Sequence, residues 1–390
     1  MAVSVVDGAD AAGLARAMGV KARPGKVLVV TTGLGVGGAE AMLTRLVTAQ
    51  PSIADDVTVV SLRPEDDYVE RLRTAGVKVV QLDFRRASGI ASGLIELAKL
   101  IAERCPDIVQ GWMYHGDLAA LLALTLSGRR SRTRLVWSLR CSDMDLRRYG
   151  PGLRAVVKTC TLLSRRPDAV TANSAVGLKF HLELGYRPRR AEVIPNGIDM
   201  EEFRPDLIAR RAVRHELGIE DAAIVIAHVA RVDPMKDHST FLAAMAQLPE
   251  IQALLIGVGT ENLAASRNVF RLGRRRDVAR LLTAADFIAS SSRFGEGFSN
   301  AIAEGMACGL PGIVTDVGDA RLIVGETGLV VPREDAQAMV AAMQTLTQEP
   351  IEARTARRVK ARTRIAENFA LPTAVKRFAA LYASLQSACG

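Results

Sequence analysis

Short β-branched apolar runs recur along the chain, each followed by a stretch with helical spacing, and this rhythm restricts the fold more than any other feature. The runs are VLVV (27–30), VTVVSL (57–62), VKVVQL (77–82), DIVQG (107–111), RLVWSL (134–139) and AVTAN (169–173). Brief apolar runs bounded by turn signals fit strands buried on both faces, and their alternation with helices fits a parallel sheet covered by helices on each side. The rhythm breaks at RPRRAEVIPNGIDMEEFRPD (187–206), which is rich in proline and charge. It resumes with AAIVIAHVA (222–230), QALLIG (252–257), NVFRLG (268–273), DFIASSS (286–292), PGIVT (311–315) and GLVVP (328–332). The class is therefore α/β, with two Rossmann-like doubly wound parallel-sheet domains. Their expected limits are 1–195 and 196–370, and a closing helical segment, 371–390, is apolar at helical spacing over TAVKRFAALYASL (373–385). With 390 residues, 49% of them hydrophobic, the chain has apolar material for more than one core. In open sheets of this kind ligands sit beyond the carboxyl ends of the strands, so the loops there carry the chemistry.

The first such loop, Gly33-Leu-Gly35-Val-Gly37-Gly38, matches the dinucleotide pattern G-x-G-x-x-G. A nicotinamide site also wants an acidic residue at the end of the second strand to hold the ribose hydroxyls. Here that strand ends in Arg63-Pro64, while Asp55 and Asp56 precede it, so NAD binding is not expected. The glycines still permit close backbone approach, and a helix starting near Ala39 aims free N–H groups at an anion. A plain strand-to-helix turn is the other reading.

A sharper signal is SSRFGEGFSNAIAEGMACGLPGIVT (291–315), read as strand, loop and helix, with Ser299 or Asn300 as cap and Gly309 and Pro311 as the end. Glu296 lies just ahead of the helix and Glu304 in its second turn. That is about 12 Å along the axis, too far for a catalytic carboxylate pair. The two can hold hydroxyls at the ends of an elongated ligand, while the N–H groups of Gly297, Phe298 and Ser299 address a phosphate between them. A nucleotide sugar has this layout.

Glu296-Gly-Phe-Ser-Asn-Ala-Ile-Ala-Glu304 resembles the Glu-x7-Glu signature of family 4 retaining glycosyltransferases. Other stretches match that family in order: Gly37-Gly38-Ala39-Glu40, Asn173-Ser174, Val193-Ile-Pro-Asn-Gly-Ile-Asp199 with Phe203 and Pro205, His228-Val-Ala-Arg231-Val-Asp-Pro-Met-Lys236-Asp, and Gly257-Val-Gly259. The resemblance implies the GT-B fold, two Rossmann-like domains facing a central cleft, with the closing helix crossing back to the N-terminal domain. It implies that Arg231 and Lys236 neutralise the donor's diphosphate, that Glu304 binds the ribose and that Glu296 holds sugar hydroxyls. Arg274, after NVFRLG, resembles the family's base-binding loop. His115, at the end of the strand beginning at Asp107, resembles a family histidine near the transferred sugar; a buried, hydrogen-bonded core histidine is the alternative. Where relatives show a second histidine at the acceptor site, this chain has Ser138-Leu-Arg140-Cys-Ser-Asp143, with Arg140 and Asp143 as candidate replacements.

The implied reaction is retaining transfer from a nucleoside-diphosphate sugar, with a UDP-sugar favoured and GDP-mannose the other donor, to a lipid-linked or glycan acceptor. A sugar-nucleotide epimerase of the same fold is the alternative. The nucleotide sugar is a substrate, and no cofactor is expected. Asp143-Met-Asp145 spells the D-x-D of metal-dependent transferases, but basic side chains and helix N–H groups already supply the positive charge, so no metal is expected. Five scattered cysteines show no metal or disulfide spacing and fit a reducing compartment.

The net charge of +9 lies in the first half of the chain. Residues 128–166 hold eleven basic side chains against two acidic ones, interleaved with Leu, Val, Trp and Tyr. Such a stretch fits a solvated helix face or an anionic lipid surface or lipid-linked phosphate, and no nucleic-acid motif accompanies it. No run reaches the length of a membrane span, and residues 1–20 lack the features of a signal peptide. The expected location is the cytoplasm, at the inner face of the cell membrane if the basic stretch binds lipid.

Overall fold

The computed structural model describes residues 25–49, 52–264 and 266–387. The N-terminal segment read for a signal peptide, and Cys389, lie outside the described residues. The chain divides into two compact units: the residues up to Gly197 together with those from Leu371 onward, and Ile198–Ala370.

The first unit is a seven-stranded parallel sheet formed by β1 (Lys26–Thr31), β2 (Asp56–Ser61), β3 (Lys78–Gln81), β4 (Ile108–Trp112), β5 (Arg134–Leu139), β6 (Ala169–Ala172) and β7 (Ala191–Val193), in the order β3-β2-β1-β4-β5-β6-β7. Alternate residues of one strand enter different cores. Val27 and Val29 pack with Met42, Leu46 and Trp112, whereas Leu28 and Val30 pack with Leu97, Leu124 and Trp137. Period-2 burial on both faces is what an unbroken VLVV run produces. Helix Leu371–Ser387 joins the first of these cores through Phe378, Leu381 and Tyr382, with the Phe378 ring 6.3 Å from that of Trp112.

The second unit is a six-stranded parallel sheet of β8 (Ile224–Val229), β9 (Ile251–Ile256), β10 (Val269–Arg271), β11 (Phe287–Ser290), β12 (Gly312–Thr315) and β13 (Leu329–Val331), ordered β10-β9-β8-β11-β12-β13. Here Val225 and Ala227 face one core and Ile226 the other. The α/β architecture expected from the rhythm of the sequence is present in both units.

Two local features differ from the sequence reading. β7 lies inside the segment read as an irregular linker. It is a half-buried edge strand pairing Ala191 with Val170, and an edge strand accepts polar residues that an interior one does not. Asp56 also opens β2 rather than preceding it, and its carboxylate pairs with Lys78 on the neighbouring strand.

Candidate functional site

In the second unit, the loop after β8 (230–237) and the loop after β11 (291–299) are stapled together at the carboxyl end of adjacent strands. Ser291 Oγ donates to the carbonyls of Lys236 and Asp237, each at 2.9 Å. The Arg293 backbone N–H donates to the Met235 carbonyl at 2.8 Å, and its Nε pairs with Asp237 Oδ2 at 2.9 Å. Lys236 Nζ and Glu296 Oε1 form an ion pair, to which Ser292 Oγ adds a 3.1 Å hydrogen bond. Asp237 has a left-handed backbone, φ 46°, and caps helix His238–Met245 through Thr240 N–H. Burial alone would raise the Asp237 carboxyl, but donors from Ser239, Thr240 and Arg293 outweigh it and hold the pKa below the usual range.

Helix Asn300–Ala307 follows the second loop. Ser299 stands at the N-cap position, but its side chain makes no capping bond, and Asn300 is the first helical residue rather than the cap. This corrects the expected side-chain cap. The carbonyl of Gly297 accepts from Asp319 N–H at 2.9 Å, and Gly318, at φ 58°, packs so closely that a Cβ there would lie 2.2 Å from the Glu296 carbonyl oxygen. Among the described residues no acceptor takes the N–H groups of Gly297, Phe298 or Ser299. Buried donors without partners at a helix N-terminus form an anion site. Glu296 and the buried Glu304 flank this segment.

Two further basic residues lie on neighbouring loops of this unit. Arg231, half exposed, pairs with Asp233 at 3.1 Å. Arg274 is exposed on the loop after β10. A ring stack of His228, His238 and Phe241 lies behind the 230–237 loop, and His228 Nε2 meets Ser291 Oγ at 3.1 Å. Ser291, Arg293 and Asp237 lie inside the stretches singled out in the sequence, at 291–315 and 228–237, but were given no role there. Asp237 alone had a sequence signal, as a polar residue directly before a helix.

In the first unit the strand order reverses between β1 and β4, which places the crevice of the sheet there. The glycine loop after β1 already holds an anion from its own chain: Gly35 N–H donates to Glu65 Oε2 at 3.0 Å, and a Cβ on Gly33 would lie 2.1 Å from the same oxygen. Gly37 is the extended N-cap of helix Gly38–Thr48, and a Cβ on it would strike the Glu40 carboxylate. On the other side of the crevice His115 is the third residue of helix Met113–Leu126, which opens on Met113 at φ 68°. The half-buried imidazole has no hydrogen-bond partner among the described residues, unlike a satisfied core histidine. Burial, aided by the positive charge of Arg63, lowers its pKa, so it is neutral at neutral pH. Asp145 of the D-x-D caps the short helix Leu146–Arg148 and pairs with Arg148 at 3.1 Å. Among the described residues no group of three or more His, Cys, Asp or Glu is placed to hold a metal ion.

Residues 36–202 match the family model described as Glycosyltransferase Family 4, and residues 223–349 match the one described as Glycosyl transferases group 1. This chain belongs to glycosyltransferase family 4. Among curated relatives, D-inositol 3-phosphate glycosyltransferase of Mycobacterium sp. (strain KMS) is 32% identical over 166 residues, which is 38% of this chain and 37% of that protein. The matched region thus spans little more than a third of that relative's length. Among solved structures, Anabaena Alr3699/HepE in complex with UDP-glucose is similar at a TM-score of 0.79 and 22% identity, covering 92% of this chain and 99% of that one. Sucrose-phosphate synthase from Thermosynechococcus elongatus is similar at a TM-score of 0.76 and 18% identity, covering 93% and 100%. The fold of the glycosyltransferase is GT-B. No helix among its described residues is long and apolar enough to cross a membrane.

Proposed function

We propose that this glycosyltransferase transfers a hexose from a UDP-sugar, with retention of configuration and without a metal, to a lipid-linked or glycan acceptor used in surface polysaccharide or glycolipid assembly. The observation that carries the donor side is the run of three unused N–H groups at Gly297, Phe298 and Ser299, beside the paired Lys236 and Glu296. The UDP-glucose complex of the similar Anabaena protein supports a uridine donor. In this reading the N–H groups and Lys236, with Arg231, stabilise the negative charge that grows on the departing diphosphate. Glu304 takes the ribose hydroxyls, Arg274 the base, and Glu296 the sugar hydroxyls once the diphosphate competes for Lys236. In the first unit, Gly37 and Gly38 contact the nucleotide sugar, and the neutral His115 contacts the transferred sugar and the acceptor. A departing phosphate oxygen takes the proton of the acceptor hydroxyl, and catalysis rests on positioning and charge stabilisation.

The lipid side of the proposal rests on helix Pro151–Leu163, whose exposed Arg154, Lys158 and Leu162 recur every fourth residue and so share one face. That face suits an anionic bilayer, cations over lipid headgroups and leucine dipping between them. The test is a thermal-shift panel of UDP, GDP and ADP followed by anomer analysis of the product, with and without chelator. A UDP response with a retained anomer and unchanged rate in chelator supports the reading. Isomerised donor in the absence of any acceptor points to an epimerase instead, and Mn²⁺-dependent rescue after chelation overturns metal independence.

A further inference from the structure

Arg140 is the first residue after β5, at the carboxyl end of the sheet, and it is only 7% exposed. Its guanidinium lies 3.9 Å from the centroid of the Trp112 ring, and Trp112 is the last residue of β4 at the crevice where the strand order reverses. Phe378 of the closing helix stands 5.4 Å away. One nitrogen, Nη1, reaches Asn196 Oδ1 at 3.4 Å. The other two, Nε and Nη2, are buried and have no hydrogen-bond partner among the described residues. No carboxylate pairs with it among those residues either, and the buried Asp117, whose Oδ2 is also unpartnered, is held toward its neutral form by burial.

The pattern of use within this one side chain is informative. A guanidinium grips a carboxylate or phosphate side-on through two parallel N–H bonds from Nε and Nη2. Aromatic stacking occupies the flat face and Asn196 the far nitrogen, so the unused edge is the one that makes a bidentate anion contact. A buried cation that only stacks on aromatic rings recovers part of its desolvation cost, and a methionine of similar reach fills such a slot without that cost.

We propose that the Nε/Nη2 edge of Arg140 binds a single oxyanion, phosphate or carboxylate, carried by the acceptor, and that this enzyme therefore selects an anionic acceptor. The inference rests on the glycosyltransferase reading for the word acceptor, but the anion site stands on Arg140 alone.

The test uses the full chain with UDP at saturation, so that the anion site at Gly297–Ser299 is filled. Inorganic phosphate is titrated in one arm and methyl glucuronide in the other, each against chloride at fixed ionic strength, and the thermal midpoint and tryptophan emission are followed. Trp112, stacked on the guanidinium, is one of only two tryptophans. The expected result is a saturable response to one of the two anions, weakened roughly ten- to a hundredfold in Arg140→Lys, which keeps the charge but loses the fork, and absent in Arg140→Met. The arm that responds names the group. No saturable response in the wild-type chain, or an Arg140→Met protein that titrates like wild type, overturns the proposal. Should both variants fail to fold, Trp137→Phe isolates the Trp112 emission: a saturable change with anion supports the site, and none overturns it. A missing UDP response beside an intact anion response sinks the donor reading and leaves the Arg140 site standing.

Discussion

Lys236 and Glu296, 60 residues apart in sequence, form an ion pair with side chains only 18% and 12% exposed, so solvent screens it little. A lysine held by a carboxylate is a weaker phosphate ligand than a free one, because any entering phosphate must compete for it. Glu296→Gln removes the competitor and is expected to bind UDP up to about tenfold more tightly while turnover falls by roughly two orders of magnitude. Lys236→Met is expected to lose both. Calorimetric UDP titration beside initial rates separates the two effects, and a Gln variant that binds UDP no better than wild type refutes the competition.

Arg293 ties the two loops that carry this pair, through Asp237 and the Met235 carbonyl, and also reaches Glu334, after β13, at 3.2 Å. Its side chain is about a third exposed, which discounts the electrostatic loss, but the Asp237 carboxylate it faces is fully buried. Arg293→Met is expected to lower stability by about 1–3 kcal/mol and to raise the donor KM more than it lowers kcat, since the mutation loosens Lys236 without touching the reacting atoms. Denaturant unfolding and donor-saturation kinetics on the same preparation check both parts. A change confined to kcat tells against a positioning role.

These two residues differ in how readily the sequence reveals them. Lys236 follows a buried strand and belongs to a recognisable motif, whereas Arg293 lies in an irregular loop and acts through pairing with Asp237, a contact between separate βα units that no local pattern encodes. The strands were legible because burial on both faces demands unbroken apolar runs, as in VLVV at 27–30 and AAIVIA at 222–227. β7 was not, because its Glu192 pairs with Arg190 at an edge and reads as linker. That a helix follows Glu296 and carries Glu304 was readable from the sequence, but the missing side-chain cap at Ser299 depends on a rotamer and was not.

The glycine loop after β1 offers a test of close packing. Ala at Gly33 brings its Cβ to 2.1 Å from Glu65 Oε2, a contact that only movement of Glu65 relieves, with loss of its bond to Gly35 N–H. Gly33→Ala is expected to cost about 1 kcal/mol, and much less in a Glu65→Ala background, because the obstructing carboxylate is gone. Unfolding free energies of the four proteins in the double-mutant cycle give the coupling. Equal costs in both backgrounds show that Gly33 is required for some other reason.

Acid sensitivity follows from buried imidazoles. Burial pushes the His181 pKa down from 6.5 to about 4, although its bond to the Gly177 carbonyl opposes this, and His228 is lowered well below its usual range by burial and by His238 beside it. Between the two His181 values the unfolded chain binds a proton that the folded chain refuses, so stability is complete above pH 6.5 and falls as pH drops toward about 4. For His181 alone the loss across that window is about 3 kcal/mol, at 1.36 kcal/mol per pKa unit. Denaturant midpoints at steps from neutral pH to pH 4 are expected to decline with proton uptake on unfolding, and His181→Gln is expected to flatten the slope by about one proton at its steepest. A wild-type midpoint that stays level through this range contradicts the burial of neutral histidine. A slope unchanged in the His181→Gln protein assigns the proton to His228 and its stacked neighbour His238 instead.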